Sequence, residues 1–145
     1  GHRLPSHLIV SGRRAPQLPI ENRKLHTMDD PTLIDELRRY NGTPEELLAD
    51  TELMGLMLPL VRADFQIHEK YAYREDAPLA VPISAFGGTG DPHVSRDQLL
   101  AWQVCTTQPL SLRLFAGDHF YLLGDRRKVV DAVLSTLAPL LTSAR

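Results

Sequence analysis

Two short loops hold the residues of this sequence whose types and spacing could do chemistry together. Gly87-Gly88-Thr89-Gly90-Asp91-Pro92 follows the apolar run Val81 to Phe86, and Ala116-Gly117-Asp118-His119-Phe120 follows Leu112 to Phe115. In open α/β sheets, reacting groups collect outside the carboxyl ends of the strands, so Asp91 and His119 are expected on one rim. A neutral imidazole at His119 would take the proton from a serine hydroxyl. The carboxylate of Asp91 would hold the ring's tautomer and stabilise the imidazolium that forms. Gly87, Gly88 and Gly90 would let the backbone turn sharply and bring Asp91 under His119. Spacing alone leaves a second reading open, a Gly- and Asp-rich turn in which Asp91 caps a local amide and His119 merely sits in a loop.

Other nucleophiles and ligands read as structural. Ser95 reads as a helix N-cap, Ser11 lies at a strand end with no helix after it, and Ser84 falls inside a strand. Cys105 comes late in a helix, where the dipole raises a thiol pKa, so it is expected to be a buried structural cysteine. The histidines are scattered, with no H-x-x-x-H or Cys-His cluster of zinc spacing, and no metal is expected. His93 lies close enough to Asp91 to line the rim, although a solvated loop histidine is the plainer expectation.

Three short apolar segments, His7 to Val10, Val81 to Phe86 and Leu112 to Phe115, read as buried strands of a parallel sheet. Helices are punctuated more clearly. Asp30-Pro31 predicts an N-cap and first-turn proline before Leu33, Ile34, Leu37 and Tyr40, and Asn41-Gly42 predicts a stop. Thr43 and Glu46 have capping-box spacing, Thr51 to about Tyr71 is helical with Pro59 expected to kink or divide it, and Ser95 and Gln98 form another box. Asp125 should cap a final helix with Val129, Val130, Val133, Leu134 and Leu137 on one stripe. The order predicts a mostly parallel sheet with right-handed crossovers and a helical insertion, residues 29–72, between the first two strands. Within that insertion Leu53, Met54, Leu56, Met57, Leu58, Leu60 and Val61 lie almost all round the helix. They clamp the helix onto a core, form one wall of an apolar chamber, or do both.

Composition excludes classes and names none. The chain has 145 residues, 16 Lys+Arg against 18 Asp+Glu and 43% hydrophobic residues, so no nucleic-acid or anionic-membrane partner is expected. Leu53 to Val61, the longest dense apolar stretch, is interrupted by Gly55 and Pro59 and falls short of the roughly 18 residues of a membrane span. The lone Cys105 and the absence of a charged-then-apolar opening lead to an expectation of a reducing cytoplasm.

The same blocks carry a resemblance. Val10-Ser11-Gly12-Arg13-Arg14-Ala15-Pro16, Gly87 to Pro92, Trp102 and Phe115 to Leu122 look like motifs of the stand-alone (type II) thioesterases of polyketide and nonribosomal peptide synthesis. Leu33 to Tyr40, Gly42-Thr43-Pro44-Glu45 and Arg62-Ala63-Asp64-Phe65 are similar to that family's lid. The resemblance covers nearly the whole chain and implies an α/β-hydrolase fold with an inserted helical lid. The family's acid falls on Asp91 and its histidine on His119, in the chain order Ser, Asp or Glu, His of that fold. The lid should cover the rim bearing that pair, with some of Leu53, Met54, Met57, Leu60 and Phe65 facing an apolar cavity.

One departure stands out, since no G-x-S-x-G elbow occurs in the sequence. Gly1-His2 is either an echo of its start or a cloning remnant, and Arg3 follows where Ser belongs. The chain is therefore expected to be the lid and C-terminal half of a partial thioesterase domain over residues 1–145. The resemblance implies hydrolysis of acyl groups from the phosphopantetheine arm of acyl or peptidyl carrier proteins by a Ser-Asp-His mechanism, in an editing role. Phosphopantetheine belongs to the carrier, so no cofactor is implied, and oligomeric state stays open. Two alternatives remain, a carboxylester hydrolase of the same fold and a catalytically dead carrier-binding fragment.

Overall fold

Each of the three apolar runs forms a strand: β1 (Leu8–Ser11), β2 (Ile83–Gly88) and β3 (Ser111–Phe115). The structure, a computed structural model, describes residues 5–19 and 24–142, so the Gly1-His2 pair and Arg3 lie outside it. β1 pairs with β2 and β2 with β3, both parallel, in the order β1-β2-β3. Every residue of β2 is buried, which is why the central strand shows no polar alternation in sequence, but the edge strands are not buried as expected, β1 being mostly half-buried and β3 mostly exposed. Its ends differ from expectation. Gly87 and Gly88 belong to the strand and stand in register with Leu114 and Phe115, because the ladder is made by backbone groups and needs no side chain.

Side chains alternate between two apolar layers, as the two-residue period of a strand requires. On one face Phe86, Ile9 and Phe115 meet Tyr121, Val129, Ala132 and Val133. On the other, Ala85, Val10 and Leu112 meet Val94, Leu99 and Trp102. The helix α4 (Arg96–Leu100) supplies Leu99 and α5 (Arg126–Thr142) supplies Val129, Ala132 and Val133, while Tyr121 and Trp102 come from 3-10 turns and Val94 from the loop before α4. The capping box before α4 is formed in full, with Ser95 accepting from the Gln98 amide and the Gln98 side chain accepting from the Ser95 amide. The α-helix nevertheless stops at Leu100 and tightens into a 3-10 turn over Ala101–Cys105. Asp125 accepts from the Lys128 amide at the start of α5. The buried stripe of α5 is narrower than expected: Val129 and Ala132 are inside and Val133 half-buried, while Val130 and Leu134 are exposed. A pattern read from large apolar residues overlooks that Ala132 takes the i+3 position beneath the sheet.

Among the described residues, the strands and these helices form one compact unit, up to Leu18 and from Glu75 onward, and Pro19–Arg74 form a second whose described elements are helical. The second contains α1 (Asp30–Tyr40), α2 (Glu45–Leu48) and α3 (Thr51–Glu69). Its core is Leu25, Leu33, Leu48, Met54 and Leu58, with Ile34, Leu37, Tyr40, Val61 and Phe65 packed against them. Three local expectations change. The N-cap of α1 is Asp29, which accepts from the Thr32 amide, so Asp30 and Pro31 are already helical. No capping box forms at Thr43, because Pro44 occupies the N-cap of α2, and Glu45 instead takes two hydrogen bonds from the Arg38 guanidinium. Pro59 lies inside α3 without dividing it. Among the described residues no helix is long and apolar enough to cross a membrane.

Leu25 joins this core because Glu69, the last residue of α3, holds the turn that contains it. One carboxylate oxygen of Glu69 accepts from the Leu25 amide at 2.6 Å, and the other accepts from the His26 amide at 3.4 Å and pairs with the His26 imidazole. Arg62, about two helical turns earlier, donates to the carbonyls of His26 and Met28 and pairs with Asp30. Burial pushes the Glu69 carboxyl up, but the bonds from His26 and from the Leu25 and His26 amides outweigh it and hold the group below the ordinary carboxylate value. A carboxyl with a lowered folded value adds stability above its unfolded value and loses that contribution as pH falls through the folded value. Wild type should therefore exceed Glu69→Gln in stability at neutral pH, and the gap should shrink as pH falls below about 4, measured by denaturant unfolding across that range.

Candidate active site

The carboxyl ends of β2 and β3 continue into loops that remain tied to one another. The Thr89 amide donates to the Phe115 carbonyl at 2.8 Å, and the Gly90 amide donates to the Gly117 carbonyl at 2.9 Å. The loop after β3 lies directly on Gly88: a Cβ there would stand 2.1 Å from the Asp118 carbonyl oxygen and 2.7 Å from that of Gly117. Gly117 has φ +133°, and a Cβ on it would press on Tyr121 at 3.1 Å. The Asp118 carboxylate accepts from the Phe120 amide at 2.8 Å, closing a local turn around His119. These constraints bring the two expected residues together. His119 Nδ1 lies 2.9 Å from Asp91 Oδ2.

Asp91 serves both of the roles that spacing left open. Its Oδ1 accepts from the amides of His93 at 2.8 Å and Val94 at 3.1 Å, while Oδ2 takes the imidazole. The Asp91 side chain is fully buried and that of His119 is 24% exposed. A carboxylate only accepts hydrogen bonds, so the proton in this contact belongs to Nδ1 and the lone pair to Nε2. The pair can thus act as an oriented general base whose working nitrogen is Nε2. His93 is half-buried, and its ring stands edge-on to His119 with centroids 5.5 Å apart. It belongs to the surroundings of the His119 ring rather than to a solvated loop.

Sequence reasoning missed a second contact at this rim. Tyr121 is 3% exposed, stacks on Phe115 with centroids 5.2 Å apart, and holds its hydroxyl 2.6 Å from Ser11 Oγ at the end of β1. Gly12, next in the chain, has φ +57° and faces the Cε1 side of His119. Burial pushes the Tyr121 phenol up; the bond with Ser11 works the other way, and the negative charge of Asp91 adds to the rise. The available signal was the position of Ser11-Gly12 just past a strand, in line with the other two loops.

The remaining candidates have structural partners. Ser84 is buried beside His7 Nε2 at 2.9 Å, Ser95 is a cap, and Cys105, expected to be buried in a helix, is half-buried at the end of a 3-10 turn with its sulfur 3.6 Å from the Gln17 side-chain oxygen and its thiol pushed up by desolvation. Among the described residues no group of His, Cys, Asp and Glu is arranged to hold a metal ion. Of the five lid residues expected at a cavity, Met54 is buried in the helical unit's own core, and Phe65 packs against that core and on Tyr40. Leu53 is half-buried, whereas Met57 and Leu60 are 42% and 62% exposed.

A parallel sheet covered by helices on both faces, with an acid and a histidine joined at its carboxyl rim, defines the α/β-hydrolase type of fold. The thioesterase domain model matches residues 2–141, and the chain belongs to that family. It is 41% identical over 133 residues to the gramicidin S biosynthesis protein GrsT of Aneurinibacillus migulanus, covering 92% of this chain and 52% of GrsT. Among solved structures, the type II thioesterase BorB from the borrelidin biosynthetic cluster matches with a TM-score of 0.77 and 39% identity, over 92% of this chain and 53% of BorB. ClbQ from the colibactin NRPS/PKS pathway matches with a TM-score of 0.89 and 33% identity, over 99% of this chain and 61% of ClbQ. The chain spans about half the length of the curated relatives it matches.

The approach of the two loops makes a specific demand at one position. Gly88→Ala would drive a methyl group into backbone that cannot move aside as a side chain can, so we expect a loss of about 2 kcal/mol or more in unfolding free energy. The His119 loop should be displaced as well, read as loss of the deshielded Nδ1 proton resonance of the Asp91-His119 contact.

Proposed function

We propose that the whole protein is a serine thioesterase that hydrolyses acyl groups from the phosphopantetheine arm of acyl or peptidyl carrier proteins in polyketide or nonribosomal peptide synthesis, with an editing role in the cytoplasm. The observation that carries this reading is the 2.9 Å contact between Asp91 and His119 in a chain of the thioesterase family. The names of relatives from gramicidin S biosynthesis and from the colibactin and yersiniabactin NRPS/PKS pathways support the setting. In this reading the nucleophile is a serine outside these 145 residues, as the lack of a G-x-S-x-G elbow suggests. His119 Nε2 takes the serine proton as the hydroxyl attacks the thioester carbonyl, and returns it to the departing pantetheine thiol. Water then cleaves the acyl-enzyme with His119 again as base, and Asp91 steadies the imidazolium in both halves. No metal or redox group enters this scheme.

The acyl chain is proposed to lie against the apolar side of α3 that carries Leu53, Met57 and Leu60, with Met54 and Phe65 backing that surface from the unit's core. Flexible methionine suits a surface that meets acyl groups of different shape.

With the full-length protein, a carrier-bound acyl thioester should be cleaved in preference to the oxygen ester of the same acyl group, and His119→Ala should lower kcat by about a thousandfold or more. Equal turnover of the oxygen ester would favour a carboxylester hydrolase, and no turnover of either would leave a binding module. Met57→Trp should shift the preferred acyl length toward shorter chains; an unchanged preference would remove Met57 from the acyl surface.

A further inference from the structure

We infer that Tyr121 is a positioning residue for the Asp91-His119 base and that Ser11 is its partner, the two hydroxyls forming a latch that fastens the end of β1 to the loop bearing His119. This rests on the reading of His119 as a general base. The geometry supports it from four sides. Tyr121 is two residues beyond His119 and its amide donates to the Asp118 carbonyl, so its backbone belongs to the same turn. Its ring is fixed in the core by Phe86, Val129 and Ala132 and by the parallel stack on Phe115. Its hydroxyl meets Ser11 Oγ at 2.6 Å across a separation of 110 residues in sequence. A Cβ built on Gly12 would stand 3.5 Å from Cε1 and 3.9 Å from Nδ1 of His119, so the residue after Ser11 lies beside the ring edge that also carries the carboxylate contact.

His119 is thus gripped at Nδ1 by Asp91, while the backbone after β1 limits how far the ring can tip. That backbone is held at the height of the ring by the latch and by Gly12 being the N–H donor to the Phe86 carbonyl at 2.9 Å. A base must stay within hydrogen-bond reach of the proton it removes, and small tilts of the ring cost rate before they cost binding. Tyr121 does not touch the proton and acts only through the ring's setting.

The test uses Tyr121→Phe, Ser11→Ala and the double variant, each made in the full-length protein and in this chain. In the full-length protein each single variant should lower carrier-thioester kcat about tenfold with KM unchanged, and the double variant should lose no more than either single one, because both remove one bond. In this chain, the deshielded Nδ1 proton resonance of His119 should weaken or broaden in all three variants while thermal unfolding confirms that they are folded. That second readout needs no turnover. Its loss in the variants, with no thioesterase activity in the wild-type full-length protein, would uphold the latch and overturn the proposed function. Should Tyr121→Phe fail to fold, Ser11→Ala alone carries the test. A wild-type resonance and wild-type kcat in folded variants, or a change confined to KM, would overturn the latch.

Discussion

Backbone meets backbone where the His119 loop crosses Gly88, and that approach sets the position of everything else at the rim. The carbonyl oxygens of Gly117 and Asp118 come so near Gly88 that only a residue without a Cβ fits. With the loops at that separation, the amides of Thr89 and Gly90 extend the pairing of β2 and β3 beyond the strands themselves. The imidazole and the carboxylate are then delivered to one another by main-chain hydrogen bonds, which are stiffer than a pair of side chains searching from two free loops. Pre-organisation of this kind is what lets a general base act without first being ordered.

Much of this was legible in the sequence, and the failures have identifiable causes. Strand positions and their parallel order followed from three short apolar runs separated by helical patterns, and the Ser95-Gln98 box is present as its spacing implied. The glycines after Phe86 suggest a sharp turn because glycine alone has the backbone freedom for one. Their actual work is close approach, which depends on what lies across the gap and leaves no mark in the local sequence. Caps at Asp30 and Thr43 failed for a similar reason. Neighbouring Asp29 and Pro44 compete for the same helix ends, and only three-dimensional geometry selects between adjacent candidates. The Ser11-Tyr121 contact spans nearly the whole chain, and no periodicity can announce a single long-range bond.

The helix α3 illustrates why apolar content by itself did not assign residues to roles. Met54, Leu58, Val61 and Phe65 recur at helical spacing and fill the core of the helical unit with Leu25, Leu33 and Leu48. Leu56, Leu60 and Ile67 lie on the other side and are largely exposed. A helix apolar on nearly all sides has two such faces, and the pattern shows that both exist without showing which is occupied. The hydrogen bonds of Arg62 and Glu69 to the backbone resolve the ambiguity, because they tie the segment Leu25 to Met28 to one side of α3 and leave the other open.

The two oxygens of Asp91 divide their labour, one supporting the chain and one supporting the ring, and this bears on how such a site can change over generations. Asparagine would still offer an oxygen to the His93 and Val94 amides, so the loop could survive the loss of the acid, whereas glutamate, one methylene longer, would have to give up one task to keep the other. In the proposed reading of Asp91 as the triad acid, chains that have lost activity are therefore expected to keep an intact loop at this position more readily than active ones can exchange one acid for the other.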